Sequence, residues 1–448
     1  MQENDGRNIM GYEPIPRLIM KLSLPLMISM LIQALYNIVD SIFVSRISET
    51  ALTAVSLAFP LQNLVIAFAL GTAVGVNSLL ARRLGEGNNR EAMLSADNGI
   101  FLSVMTWAAF AIFGIIGTRP FLAMFTSDPE LLSMSVTYSR ICLILSLGIF
   151  IDITCERIMQ ATGDSLHPMI VQSAGAIINI ILDPVFIFVF RMGVAGAAIA
   201  TVIGQVCSMF LAIFYTSRNR YVKLSVKHFR VSGRIIRDIY AVGVPTIITN
   251  SVGTIMVSAL NSIIIGFSAT AVSVFGIYFK LQSFVFMPVF GLSAGMIPII
   301  AYNYGAKNRK RMTATTRIGS IIALGIMGVG FAVFQLFPRE LLSIFSATDH
   351  MIEIGVPALR TISYCFLSAA ISISLTSTFQ ATGFGYAAMI VSIGRQLLVL
   401  IPTAWILGRI GGLDAVWLSF AISDVAGLLL SIAFYMHIYR KVIRKLGD

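Results

Sequence analysis

Residues 160–163 read Gln-Ala-Thr-Gly, and residues 380–383 read Gln-Ala-Thr-Gly again, 220 positions later. The same offset holds well beyond the motif. It places Pro25 on Pro245, Gln62 on Gln282, Gly71 on Gly291, Gly75 on Gly295, Ala81 on Ala301, Gly85 on Gly305 and Asn88 on Asn308. Gly99 and Gly319, Phe125 and Phe345, and Arg140 and Arg360 continue the register. One constant offset over about 140 positions marks an internal duplication. The chain therefore reads as two copies of one unit.

Each copy is built to cross a membrane. Apolar residues make up 57% of the 448 and charged residues 12%, against about 25% charged in a soluble domain. Spanning the hydrocarbon takes about 20 apolar residues of helix. Six runs that qualify begin near Leu18, Ala51, Met93, Leu131, Pro168 and Val194; six more begin near Ile239, Ala271, Met312, Met351, Ala387 and Leu413. The first, from Leu18 to Val44, is too long for a signal-peptide core and is kept as a span. The fold expected is an all-α polytopic membrane protein with twelve transmembrane helices in two pseudo-symmetric six-helix lobes. The domains are an N-lobe (1–216), a basic cytoplasmic linker (217–238) and a C-lobe with a short basic tail (239–448). Because six is even, the halves share one topology and are related by an axis along the membrane normal.

Charge sets the orientation. With the N-terminus inside, the inner segments carry 23 of the 32 Lys and Arg residues, including Arg7, Arg82, Arg83, Lys227 and Lys307. The outer loops carry Arg46, Arg119, Arg191, Arg339 and Arg409. Basic residues collect on the cytoplasmic side, so both termini are expected in the cytoplasm, with the protein in the cell (inner) membrane. The net charge of +11 then reads as topology and attraction to anionic lipid, not as nucleic-acid binding. The four cysteines form no CxxC pair and the four histidines lack ligand spacing, so no metal site is expected. No GxxxxGK[ST] loop occurs, which argues against an ATP-driven pump. The GxxxG patterns Gly71–Gly75 and Gly291–Gly295 read as helix packing.

An acid inside a span is costly and marks function by default. Asp40 lies near the outer end of helix 1, and Asp183 stands roughly 22 Å up helix 5 at 1.5 Å per residue. Tyr36 and Asn37 lie one turn below Asp40, and Asn179 one turn below Asp183. Tyr138 on helix 4 and Thr201 on helix 6 reach the same outer depth from the other direction. Two carboxylates close together in low dielectric cannot both stay ionised cheaply. Such a pair binds a proton, or binds Na⁺ with Asn179 and Thr201 oxygens completing the shell. The repeat places Leu260, Thr403 and Val399 where Asp40, Asp183 and Asn179 stand, so coupling is expected in the N-terminal half alone. Asp152 is read as part of a cytoplasmic-face network with Glu156, Arg157 and Asp164. Asp424 is expected to pair with Lys280 or Arg395; these three, with Gln33 and Asn37, are candidates for the substrate cavity.

These residues carry a resemblance. Leu24-Pro25, Asp40-Ser-Ile-Phe-Val, Gly71 to Gly75 followed by Ala81-Arg-Arg-Leu-Gly85-Glu-Gly-Asn88, the doubled Gln-Ala-Thr-Gly and Asn179-x-x-x-Asp183-Pro184 occur in one order over essentially the full length. In this the chain resembles the multidrug and toxic compound extrusion (MATE) transporters, and is similar to the bacterial branch that includes MepA-like and DinF-like exporters. The resemblance implies a V-shaped pair of lobes and export of organic cations by H⁺ or Na⁺ antiport. It also implies a cation network at positions matching Tyr36, Asp40, Tyr138, Asn179, Asp183 and Thr201. Some branches carry an acid in helix 7; here that region reads Thr249-Asn250-Ser251, without a carboxylate.

The expected function is a secondary active exporter of organic cations or other amphipathic small molecules. It would need no cofactor beyond its coupling ion and act as a monomer in the lipid bilayer on a small-molecule substrate, without a nucleic-acid partner. A lipid-linked saccharide flippase is the alternative; it wants a strongly cationic cavity, and the mid-span positives are mainly Lys280 and Arg395. An enzyme would need a nucleophile–base pair or a metal set inside the spans, and neither is present. A channel fits poorly with two non-equivalent halves.

Overall fold

The computed structural model describes residues 8–223, 230–345 and 347–447. Arg7, Lys227, His228 and the stretch 224–229 of the expected linker lie outside them. Among the described residues there is no strand. The first six spans are α1 (Ile15–Ser45), α2 (Glu49–Gly85), α3 (Asn89–Ile116), α4 (Pro129–Ile144 continuing as Leu147–Ala161), α5 (Leu166–Pro184) and α6 (Gly193–Ser217). The second six are α7 (Gly233–Ile264), α8 (Ala269–Gly305), α9 (Arg309–Leu336), α10 (Asp349–Ser363 and Cys365–Thr382), α11 (from Gly385 to residue 411) and α12 (residues 413–441). The last two run on as one rod broken at Gly412, whose φ of 69° is left-handed and closed to most side chains. That break agrees with the expected start of the last span at Leu413. Large apolar side chains such as Ile116, Ile321, Val329 and Leu429 are exposed outward, as a lipid-facing surface requires.

The duplication persists in detail. Asn88 and Asn308 cap α3 and α9 through the backbone N–H groups of Glu91 and Arg311. Arg140 donates to the Ile115 carbonyl at 3.1 Å, and its mate Arg360 donates to the Gln335 carbonyl at 3.2 Å. Both arginines thus satisfy the orphan carbonyls that end α3 and α9. The fourth and tenth spans both break at matching positions, and the α10 segments bend by 41°. No proline marks either break, so the pattern of apolar residues alone did not disclose them.

The two lobes meet through the repeated glycines. A side chain on Gly71 would lie 2.8 Å from the Gly243 carbonyl of α7, and one on Gly291 would lie 2.7 Å from the Met27 backbone of α1. Gly75 abuts the Ile239 carbonyl and Gly295 abuts Ser23. Farther along the same helices Gly85 faces the Tyr302 carbonyl, and Gly305 faces the Arg82 carbonyl. Ser78 Oγ donates across the junction to the Gln380 carbonyl at 2.6 Å. The N-terminal segment closes the same end, since Arg311 donates to the Glu13 carbonyl at 2.7 Å and Asn303 to the Met10 carbonyl at 3.0 Å. The packing reading of GxxxG therefore holds, and the surface it packs against is the other lobe.

Candidate functional site: an acid pair on the wall of the inter-lobe cavity

Above the junction the lobes diverge around a cavity of about 1890 Å³. It runs from Gln160 and Gln380 at the sealed end to Ile42, Leu52 and Ile344 near the opposite end. Its walls are mostly apolar, with polar side chains inset at a few places, the usual composition of a small-molecule site.

The main polar inset lies in the N-lobe. Tyr36 and Asp40 share one face of α1, and Asn179 and Asp183 share one face of α5, each pair four residues apart. Small residues draw α6 close to α5: a side chain on Gly204 would meet the Gly175 carbonyl at 2.9 Å, and one on Gly196 the Phe186 carbonyl at 2.8 Å. This close packing brings Thr201 beside Asn179. Pro184 follows Asp183 and lacks the N–H that would continue the helix, and a π turn, Val185–Val189, takes over.

Asp183 is fully buried, and Asp40 lines the cavity. Their carboxyls approach closely enough to be joined by a hydrogen bond, which two carboxyls form only through a shared proton. With its amide oriented to satisfy both ends, Asn179 donates to Asp183 Oδ2 at 2.8 Å and accepts from the Thr201 N–H at 2.9 Å. The Tyr36 hydroxyl faces Thr201. One oxygen on each acid, Oδ1, is buried with no hydrogen-bond partner among the described residues. A buried carboxylate oxygen left so is costly, and a proton or a small cation is what would satisfy it.

Tyr138 joins this group from α4, nearly fully buried. Gln62 Nε2 donates to Tyr138 Oη at 3.0 Å and to Cys142 Sγ at 3.7 Å. The sequence reading did not place Gln62 or Cys142 at the site. The only available signal was the pairing of Gln62 with Gln282 in the repeat, which does not report where the side chain points.

The other candidates separate. Gln33 and Asn37 line the cavity, and Gln172 donates to Gln33 Oε1 at 3.1 Å. Asp424 pairs with Arg395 at 2.7 Å, not with Lys280. Lys280 lines the cavity with its ammonium 5.8 Å from the Phe345 ring centre. The repeat mates of Arg395 and Asp424 are Gly175 and Gly204, so an ion pair in the C-lobe stands where the N-lobe has two touching glycines. The expected network of Asp152 with Asp164 does not form. Asp164 bonds His167 at 2.6 Å at the start of α5, and Arg157 donates to Gln160 Oε1 at 2.8 Å.

Comparison with known proteins gives a consistent picture. Residues 25–185 and 245–406 match the MatE family. The chain is 26% identical over 414 residues to the multidrug export protein MepA of Staphylococcus haemolyticus (strain JCSC1435), covering 92% of this chain and 91% of that protein. It is 26% identical over 419 residues to the protein of the same name from Staphylococcus aureus (strain MSSA476), again covering 92% and 91%. Among solved structures it is similar to one described as the outward-facing conformation of a multidrug resistance MATE family transporter of the MOP superfamily. That match has a TM-score of 0.94 and 25% identity, over 99% of this chain and 100% of the other. It is also similar to a MOP superfamily transporter from Pyrococcus furiosus, with a TM-score of 0.93 and 26% identity over 99% and 100% of the two chains.

Proposed function

Since the chain belongs to the MatE family of membrane transporters, we propose that it is a secondary active multidrug exporter driven by exchange of its substrate for H⁺ or Na⁺. The observation that carries this reading is the Asp40–Asp183 pair, with its two unpartnered carboxyl oxygens, at the wall of a large cavity between lobes. A site that loads a small cation next to a site that loads a small molecule has the elements of an exchanger. The cation need only bind one conformation better than the other to bias the cycle.

In this reading Asp40 and Asp183 take up the coupling ion, and Asn179, Thr201, Tyr36 and Tyr138 hold the two carboxyls in register. With H⁺ as the load, Asn179 donates to Asp183 as described. With Na⁺, its amide turns and presents oxygen, so that Asp40, Asn179, Asp183 and Thr201 supply the shell. The substrate lies between Gln33 and Asn37 of the N-lobe and a C-lobe wall that carries Phe279, Phe286 and Phe290 with Lys280 and the Arg395–Asp424 pair. Read by the positive-inside rule, both termini are cytoplasmic in a bacterial inner membrane; on that reading the sealed end is cytoplasmic and the conformation outward-open. Organic cations suit the acid wall. The flippase alternative is weakened because Arg395 is paired with Asp424, which leaves less positive charge to hold a pyrophosphate.

The test is transport in proteoliposomes. In molecules whose cytoplasmic face is outward, an acidic lumen should drive a fluorescent organic cation inward as protons leave; a lumen high in Na⁺ should do so if Na⁺ couples. Transport under one of these gradients, lost in Asp40→Asn, is expected. Failure of both gradients with folded protein would refute the antiport reading and favour lipid-linked substrates.

A further inference from the structure

The N-lobe holds a second pair of acids that the coupling scheme does not use. Asp152 and Glu156 stand one turn apart on the second segment of α4, on one face of the helix. Glu156 is 7% exposed and borders the floor of the cavity with Arg157 and Gln160. Asp152 Oδ1 and Glu156 Oε1 are both buried without a hydrogen-bond partner among the described residues. Arg157 is equally buried, yet among the described residues it makes no ion pair with either acid. Its Nη1 donates to Gln160 Oε1 at 2.8 Å, its own carbonyl accepts from Asn77 at 3.0 Å, and its Nε has no partner.

The surroundings of the pair are otherwise neutral or sulfur-bearing. Cys155 lies between the two acids on the same helix and faces Thr216 of α6. From α3, Ser103 contacts Thr154 at 2.7 Å, and α2 contributes Asn77. At the start of α5, Asp164 is already bonded to His167. Two acids and one arginine leave one negative charge in excess, and no ion pair among the described residues cancels it. An uncompensated buried charge is unfavourable, and neutralisation is the usual resolution. The repeat shows that the arrangement is particular to this lobe: the mates of Asp152, Glu156 and Arg157 are Ser372, Thr376 and Ser377.

We propose that Asp152 and Glu156 form a second proton-binding site of the N-lobe, deeper in the cavity than Asp40 and Asp183 and loaded with one proton in the conformation seen here. The proton comes from water in the cavity onto one carboxylate oxygen and returns to water when the site empties, so no other reactant is needed. The unpartnered oxygens are too enclosed for an organic ammonium, and the guanidinium beside them would repel one. Arg157, bonded to Gln160, offsets one of the two acids by charge without an ion pair among the described residues, and the proton neutralises the other. The proposal rests on the exporter reading only for what such a proton is used for.

The test reads the proton directly. Infrared difference spectra of the full-length protein in lipid nanodiscs, between mildly alkaline and mildly acidic pH, report the C=O stretch of buried carboxylic acids. In the Asp40→Asn/Asp183→Asn background a titrating band that shifts slowly in D₂O should remain, and adding Glu156→Gln should abolish it. If Glu156→Gln does not fold, Asp152→Asn in the same background serves, because loss of either acid removes the excess charge that retains the proton. Absence of a titrating band in the Asp40/Asp183 background, or a band that survives the further substitution, would overturn the proposal. Failure of the exporter reading is seen elsewhere, in the loss of gradient-driven transport, so the two outcomes are distinct.

Discussion

Gly291→Ala should push the protein out of the conformation described here. Gly291 lies on α8 where α8 crosses α1, and an added Cβ would stand 2.7 Å from the backbone N and Cα of Met27. Ordinary contact begins near 3.4 Å, so the two helices must separate by 0.7 Å at this point. The obstacle is backbone, so no rotamer change relieves it. Overpacking of this kind costs about 1–3 kcal/mol. If the lobes part at this crossing in the opposite state, that state escapes the cost, and the equilibrium shifts toward it by about 5- to 150-fold. Spin labels at Leu52→Cys and Ile344→Cys, which line the open end of the cavity on the two lobes, report the change by electron–electron double resonance. Cys207, the exposed cysteine, is replaced by serine to avoid stray labelling. The distance distribution should gain a shorter population as the mouth closes. A distribution unchanged from the parent, in protein of unchanged folding, would refute the idea that this glycine contact holds the lobes in this state.

Other substitutions test the remaining polar contacts. Asp424→Asn takes its buried carboxylate partner from Arg395, whose side chain is 29% exposed on the cavity wall, and should destabilise by about 1–3 kcal/mol, read as a lower thermal unfolding midpoint in detergent. The double variant Arg395→Met/Asp424→Leu should recover most of that loss, and failure to recover it would show that the pair does more than cancel itself. Asn179→Ala removes the donor to Asp183 and the acceptor for the Thr201 N–H, and should cost about 1–3 kcal/mol together with most gradient-driven transport. Wild-type transport rates in that variant would remove Asn179 from the coupling site. Gln62→Ala strips Tyr138 of its partner and should lower stability by about 1–3 kcal/mol; an unchanged unfolding midpoint would show the Gln62–Tyr138 bond to be incidental.

Much of this architecture was legible in the residues. The 220-position offset disclosed two equivalent halves, and apolar runs of spanning length disclosed twelve helices, because a bilayer forces every backbone group to be satisfied within its own helix. The acids at Asp40 and Asp183 stood out because a charge in a span is too costly to be incidental. Counting depth along alternating helices put six polar side chains at one level, since rise per residue is constant.

The tertiary structure decided what faces what. Depth is a coordinate along the membrane normal and says nothing of azimuth, so the convergence of α1, α5 and α6 on one carboxyl pair required the packing of Gly196 and Gly204. Gln62 and Cys142 were missed for the same reason, being uncharged residues whose role depends on which helix they face. The choice of Arg395 over Lys280 as the partner of Asp424 depends on the proximity of α11 and α12, which no spacing along the chain encodes. The glycine repeats were readable as close packing, but only the folded chain shows that they pack across the lobes. The residue types and periods that determine spans are local, whereas the seal is made by residues such as Ser78 and Gln380, 302 positions apart, and the cavity and the pairing of charges depend on which helices pack side by side.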